Sequence, residues 1–295
     1  MSLVLTDVQK RFKNRDVLRG INLSVSRGEI HALVGVSGSG KSTLLRIIAG
    51  LDALDTGTMT WDDIALNGMP PHLRRITMLS QSPLLFPHLT VGENVTLATP
   101  SRSREEAEAW LDRVRLQGRY DDEVHELSGG EQQRASFARA LAAAPRLILL
   151  DEPFTNLDPG LKYDLQRLIR DIVHELELTA LLVTHDREEA MLVADRVTLL
   201  ESGRVRTTGT PVLLSETEPT FGDFVELGGV LYPLTEIDVT TVPTPAPLVL
   251  IRPFIRFGHY LGEYRRPTGE CIILPRRESF EVGRTYYLRQ KQGGI

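Results

Sequence analysis

Residues 30–43 restrict the possible folds of this chain more than any other segment. An apolar run, Ile30-His31-Ala32-Leu33-Val34, enters Gly35-Val36-Ser37-Gly38-Ser39-Gly40-Lys41-Ser42-Thr43, and a helical stretch continues to Ala49. The spacing fits G-x-x-x-x-G-K-[ST] between a strand and a helix. Glycines let successive backbone N–H groups converge on phosphate oxygens, and the helix adds its positive N-terminal end. Lys41 supplies a point charge for β- and γ-phosphates, and Ser42 offers a hydroxyl to Mg²⁺. This loop alone points to a nucleoside triphosphate binder and leaves kinase, GTPase and ATPase open.

A second site follows from another buried-strand run. Leu147-Ile148-Leu149-Leu150 ends in Asp151-Glu152-Pro153. Ligands in parallel α/β sheets sit at the carboxyl ends of strands, so Asp151 is placed to hold Mg²⁺. Glu152 is placed to act as general base toward an attacking water. Ala180-Leu181-Leu182-Val183 is a third run of buried-strand type, and Leu161–Leu176 carries apolar residues at helical spacing. Strands alternating with helices imply a parallel α/β sheet.

The chain changes character near residue 215. Residues 1–214 hold 8 of the 18 aromatic residues, and the much shorter 215–295 hold the other 10. Leu248–Ile251, Cys271–Leu274 and Thr285–Leu288 read as short strands between Gly and Pro turns. Pro243-Thr244-Pro245-Ala246-Pro247 reads as an extended connector. Two domains are expected, 1–214 and 215–295, the second small and β-rich. A composition of 41% hydrophobic and 25% charged residues excludes a disordered chain. The net charge of −5 argues against a general nucleic-acid binder. No stretch approaches the roughly 18 consecutive apolar residues of a spanning helix. A membrane role would therefore need another chain to do the spanning.

With both sites in view, residues 3–214 strongly resemble the ATP-binding cassette (ABC) ATPases. The most specific element is Leu127-Ser128-Gly129-Gly130-Glu131-Gln132-Gln133-Arg134, which is similar to the family signature. Read as chemistry, it is an anion-binding helix start in which Ser128 and Glu131 also form a capping box. Lys41 precedes Ser128 by 87 residues, Ser128 precedes Asp151 by 23, and Glu152 precedes His185 by 33. This compact spacing resembles transporter ATPases. Relatives in chromosome maintenance carry a long coiled coil between these motifs, and translation-factor relatives carry two cassettes.

The resemblance implies a P-loop NTPase cassette: a RecA-like parallel-sheet core, an antiparallel β subdomain and a helical subdomain, followed here by a small β-rich module. It implies ATP and Mg²⁺ as cofactors. Phe12 and Val17 are placed to contact adenine. Residues 35–43 would bind the phosphates, and Ser42, Gln81 and Asp151 would manage the metal. Glu152 would activate water, and His185 would reach the γ-phosphate. Ser128, Gly129, Gly130 and Glu131 would face ATP held by a second copy, with Asn156-Leu157-Asp158 crossing that dimer interface.

The implied partners are transmembrane permease subunits, a second copy of the chain and an external substrate-binding protein, with no nucleic acid. The implied location is peripheral, on the cytoplasmic face of the membrane. Leu84, Leu85 and Phe86, after Gln81, are read either as a contact patch for the membrane subunit or as core of the helical subdomain. Val249-Leu250-Ile251-Arg252-Pro253 resembles a strand of the regulatory (TOBE-like) β-domains of importer ATPases. The tail arginines (Arg252, Arg256, Arg265, Arg266, Arg276, Arg277) are more simply a solvated strand face than an oxyanion site. The function expected is the ATPase subunit of a membrane importer. The alternatives are an ABC exporter ATPase and a soluble, non-transport ABC ATPase.

Overall fold

The computed structural model describes residues 2–155, 157–218, 221, 224–227, 230–233, 237–240, 247–256, 259–267, 271–275 and 280–290. Asn156, the connector at 243–246, Arg276 and Arg277 lie outside them. The chain divides into two compact units, Met1–Pro211 and Val212–Ile295.

The first unit runs in chain order through β1 (Ser2–Phe12), β2 (Arg15–Ser26), β3 (Ile30–Val34), α1 (Lys41–Ala49), β4 (Thr56–Trp61), β5 (Ile64–Ala65) and β6 (Ile76–Leu79). It continues with α2 (Val91–Thr96), α3 (Arg104–Arg113), α4 (Gly129–Ala142), β7 (Leu147–Asp151), α5 (Pro159–Glu175), β8 (Thr179–Thr184), α6 (Arg187–Val193), β9 (Arg196–Glu201) and β10 (Arg204–Gly209).

The expected α/β core is present. Six strands lie in the order β10-β9-β3-β8-β7-β6. All neighbours from β9 to β6 are parallel, and β10 closes one edge antiparallel. Every residue of β3 and β8 is buried, as strands covered on both faces require. A separate antiparallel sheet, β2-β1-β4-β5, forms the β subdomain. Leu3, Leu5, Val8, Ile21, Met59 and Trp61 from this sheet share one buried cluster with Leu33, Leu44, Ile48, Leu149 and Leu181. Burial of apolar area, at about 25 cal/mol per Å², holds the two sheets together.

A polar network is buried in the core sheet. His31 on β3 is fully buried, and its Nδ1 lies 2.6 Å from Glu29 Oε1. Its Nε2 lies 2.8 Å from Thr198 Oγ1 on β9, which is 2.7 Å from Thr208 Oγ1 on β10. Both ring nitrogens are satisfied, so burial does not leave an orphaned polar group.

The second unit is antiparallel throughout its described strands. After α7 (Pro211–Thr217), which begins at the end of the first unit, come β11 (Phe224–Leu227), β12 (Val230–Pro233), β13 (Ile237–Thr240), β14 (Pro247–Arg256), β15 (His259–Arg265), β16 (Cys271–Pro275) and β17 (Thr285–Gln290). The three strands read from the sequence fall within β14, β16 and β17. A five-stranded sheet has the order β13-β17-β14-β15-β16, and β11 pairs with β12. Phe280 stacks on Tyr286 at 4.1 Å, and Tyr286 meets Tyr264 edge-on at 6.2 Å. The excess of aromatics in this short segment thus forms at least part of its core.

The Glu29–His31 pair sets an acid limit on stability. Burial pushes the Glu29 carboxyl up, but hydrogen bonds from His31 and Ser26 outweigh it and hold the group below its ordinary 4.5. A depressed folded-state value contributes stability that is present above pH 4.5 and is lost as pH falls below it. Glu29→Gln should therefore cost about 1–3 kcal/mol at pH 7 in urea unfolding and flatten the acid limb below pH 4.5. An acid limb identical to wild type would contradict this.

Candidate functional site

The site grows from the carboxyl ends of β3, β7 and β8. Gly35 leaves β3 so close to its surroundings that an added Cβ would overlap the Leu200 carbonyl oxygen and stand 2.8 Å from Ser39 Oγ. At Gly40 the backbone turns left-handed (φ 107°), against Leu18 and the Val17 carbonyl. These two positions need glycine. Between them the loop folds over the start of α1, and the Ser39 N–H donates to the Val36 carbonyl at 3.2 Å.

Lys41 is buried. Its Nζ donates to the carbonyls of Gly35 (2.7 Å) and Val36 (3.1 Å). Burial pushes its ammonium down, and Glu152 and Asp151 partly restore it. Ser39 is 3% exposed, and its Oγ has no hydrogen-bond partner. An unsatisfied hydroxyl within a loop of converging amides is what an anion-binding cradle leaves for its ligand.

Strand pairing delivers the acidic residues. Asp151 lies opposite Val183 in the β7–β8 register, and the Glu152 N–H donates to the Val183 carbonyl at 3.0 Å. Ser42 Oγ donates to Asp151 Oδ1 at 3.1 Å. A hydroxyl and a carboxylate at this separation are hard oxygen donors of the kind Mg²⁺ takes. Burial raises the Asp151 carboxyl and the neighbouring Glu152 adds to it, against Ser42 and Lys41.

Glu152 itself sits in left-handed backbone (φ 48°), a conformation that costs a non-glycine residue about 1–3 kcal/mol. Its Oε2 lies 3.2 Å from His185 Nδ1. Two residues 33 apart in sequence thus face each other because their strands are neighbours.

Lys41, Ser42, Asp151, Glu152 and His185 are therefore brought together within one chain. Val17 lines a cavity of about 260 Å³ with Val36, Ser37, Gly38 and Ser39. Phe12 is 45% exposed, with Lys10 Nζ 5.1 Å from its ring centre. Gln81 is exposed, and its backbone carbonyl accepts from Gln133 Nε2 at 3.1 Å. Gln133 also donates to the Pro153 carbonyl at 3.3 Å, so α4 fastens both the Gln81 segment and the turn after Glu152.

Ser128 and Glu131 do form the capping box at the start of α4. The Glu131 N–H donates to Ser128 Oγ at 3.4 Å, and the Ser128 N–H donates to Glu131 Oε2 at 2.9 Å. Among the described residues, no hydrogen bond or ion pair joins this segment to the phosphate loop. Asp158 occupies the N-cap position of α5, with Pro159 in the first turn, but its side chain makes no cap hydrogen bond. Leu84 and Phe86 are exposed, at 67% and 45%. Of the two readings of that segment, the core one does not hold for these two residues.

Several contributors escape sequence reading. Ser202 and Gly203, in the turn joining β9 to β10, line the same cavity as Val17. The Gly203 N–H donates to the Ser39 carbonyl (3.1 Å), and the Gly203 carbonyl accepts from the Arg19 N–H (2.8 Å). A Ser-Gly pair between two apolar runs is a hairpin signal that could have flagged it. Lys162 on α5 bridges Asp186 Oδ2 (2.7 Å) and Glu189 Oε1 (2.8 Å), either side of the α6 start that follows His185. Glu189 also accepts from Thr184 Oγ1, just before His185.

The chain is similar to known proteins in both sequence and fold. The ABC transporter family matches residues 18–155. The aliphatic sulfonates import ATP-binding protein SsuB of Albidiferax ferrireducens is 46% identical over 203 residues, covering 69% of this chain and 72% of its own. The Fe(3+) ions import ATP-binding protein FbpC 1 of Rhodococcus jostii is 42% identical over 216 residues. That match covers 71% of this chain but only 62% of the relative's length. Among solved structures, the dimeric post-hydrolysis state of the ATP-binding cassette MJ0796, bound to ADP and Pi, has a TM-score of 0.63 at 32% identity. It covers 71% of this chain and 98% of its own. The cbiO1 protein of Clostridium perfringens, part of the cbiONQ ABC transporter complex, has a TM-score of 0.68 at 28% identity, covering 74% and 92%.

The Lys162 bridge carries a stability prediction. Lys162→Met would leave Glu189, 5% exposed, without its counter-charge. A loss of about 1–3 kcal/mol is expected in urea unfolding, and Glu189→Gln in the same chain should recover part of it. Equal stability of Lys162→Met and wild type would show that the bridge contributes nothing.

Proposed function

We propose that this chain, which belongs to the ABC transporter family of ATPases, is the ATP-hydrolysing subunit of a membrane importer. It would be held peripherally at the cytoplasmic face by separate transmembrane subunits and served by an external substrate-binding protein. The observation that carries the catalytic reading is the Glu152–His185 contact at 3.2 Å, set beside the Ser42–Asp151 pair and the phosphate loop. Importer character rests on the sulfonate and ferric-ion import relatives. No helix among the described residues is long and apolar enough to cross a membrane, which fits a motor that works through spanning partners.

ATP enters with its base against Phe12 and Val17 and its phosphates in the loop 35–43. Lys41 exchanges its own loop carbonyls for β- and γ-phosphate oxygens. Ser42, Asp151 and Gln81 would hold Mg²⁺, which would supply positive charge against the phosphates. Glu152 accepts a proton from the attacking water as that water bonds to the γ-phosphorus and the β–γ bridging bond breaks. His185, held against Glu152, donates to the γ-phosphoryl oxygens as charge builds on them. Ser128, Gly129, Gly130 and Glu131 of a second copy complete the site, with the loop ending at Asp158 crossing between the copies. Two ATP molecules would thus be enclosed head to tail, and closure and reopening would drive the permease. The β-rich segment from residue 215 is assigned a regulatory role.

Glu152→Gln tests the assignment. It should keep ATP affinity, lower turnover by two or more orders of magnitude, and accumulate an ATP-bound dimer in size-exclusion chromatography. Unchanged turnover would remove Glu152 from the chemistry. Stimulation of wild-type turnover by a co-purified permease is expected; stimulation by DNA or ribosomes instead would place the chain in a non-transport branch.

A further inference from the structure

The start of β2 carries a charged group that no motif of the nucleotide site accounts for. Arg15 lies directly opposite Phe12 in the β1–β2 register, so it stands beside the aromatic ring assigned to the base. Its guanidinium reaches back over the phosphate loop: the point where a Cβ would stand on Gly38 is 3.8 Å from Arg15 Nη2. Both residues line the cavity of about 260 Å³ that also holds Val17 and the orphaned Ser39 hydroxyl.

Two of the neighbouring charged residues, Lys10 and Asp16, are already engaged. Lys10 pairs with Asp55 at 2.8 Å. Asp16, the one acidic residue among those lining the cavity, pairs with Arg11 at 3.4 Å. Among the described residues no hydrogen bond or ion pair takes the Arg15 guanidinium. A planar five-donor cation held at the mouth of an anion cradle is suited to a phosphate oxygen pair.

We infer that Arg15 is a nucleotide-binding residue whose guanidinium holds the α-phosphate of ATP and ADP. This rests on the ATP-binding reading above and extends it. Position argues for the α-phosphate. Phe12 marks the base end of the site, and Lys41, at the far end of the loop, is committed to the β- and γ-phosphates. Arg15 stands at the base end, where the first phosphate follows the ribose.

The test is calorimetric titration of the full chain with ATP and with ADP, comparing wild type, Arg15→Gln and Arg15→Lys. Loss of a charge-assisted contact should weaken ATP and ADP alike, by roughly 10-fold, with KM for ATP rising to match. Arg15→Lys, which keeps the charge but not the fork, should recover part of the loss. Unchanged affinity for both nucleotides in Arg15→Gln would overturn the inference. A loss confined to ATP would also overturn it, since that would place the guanidinium on the γ-phosphate. Failure of wild type to bind ATP would instead refute the ATPase reading, so the two failures are distinct. Arg15 is exposed, so the variant should keep the wild-type melting temperature, and this separates lost binding from lost folding.

Discussion

The close approach of the Gly35 backbone to the Leu200 carbonyl is the contact on which the nucleotide face depends. Gly35 directly follows β3, and Leu200 lies on the adjacent β9. With no side chain between them, the chain can turn over the end of the sheet immediately instead of clearing it first. That turn places Ser39 inside the loop, brings Lys41 back to the Gly35 carbonyl and sets Ser42 against Asp151. The rest of the site is built by the neighbouring parallel strands, which end at the same level and present Asp151, Glu152 and His185 beside the loop.

The parallel core was readable because strands buried on both faces need unbroken apolar runs. Ile30–Val34, Leu147–Leu150 and Ala180–Val183 show this, and each falls within a strand of the sheet. The antiparallel β subdomain was expected only from the family resemblance. Strand β1 explains why its pattern is obscure: its register shifts between Leu5 and Val8, and Asp7 takes positive φ there. The buried residues Leu3, Leu5 and Val8 therefore do not keep a period of two.

The same division applies to the site. Residues whose chemistry demands a fixed local spacing, such as Gly35, Lys41 and Ser42, were legible. Residues that act through space were not. Lys162 belongs to no local pattern, and the hairpin signal at Ser202-Gly203 marks a turn without naming its partners, because the partners of both residues lie on other elements. Leu84 and Phe86 could be read as core or surface, since a short bulky run without periodicity does not distinguish them. Packing decides the matter, leaving both side chains exposed.

Gly203 is bonded on one side to Ser39 in the phosphate loop and on the other to Arg19 on β2. Strand β2 carries Val17, the residue proposed to touch the base, two residues earlier. One turn of the core sheet therefore rivets the two ends of the nucleotide cavity to a single backbone span. The distance between base and phosphates is set before any ligand arrives. In the proposed ATP complex little conformational entropy would be lost in bringing them into register, and binding free energy would stay available for closing one copy upon another.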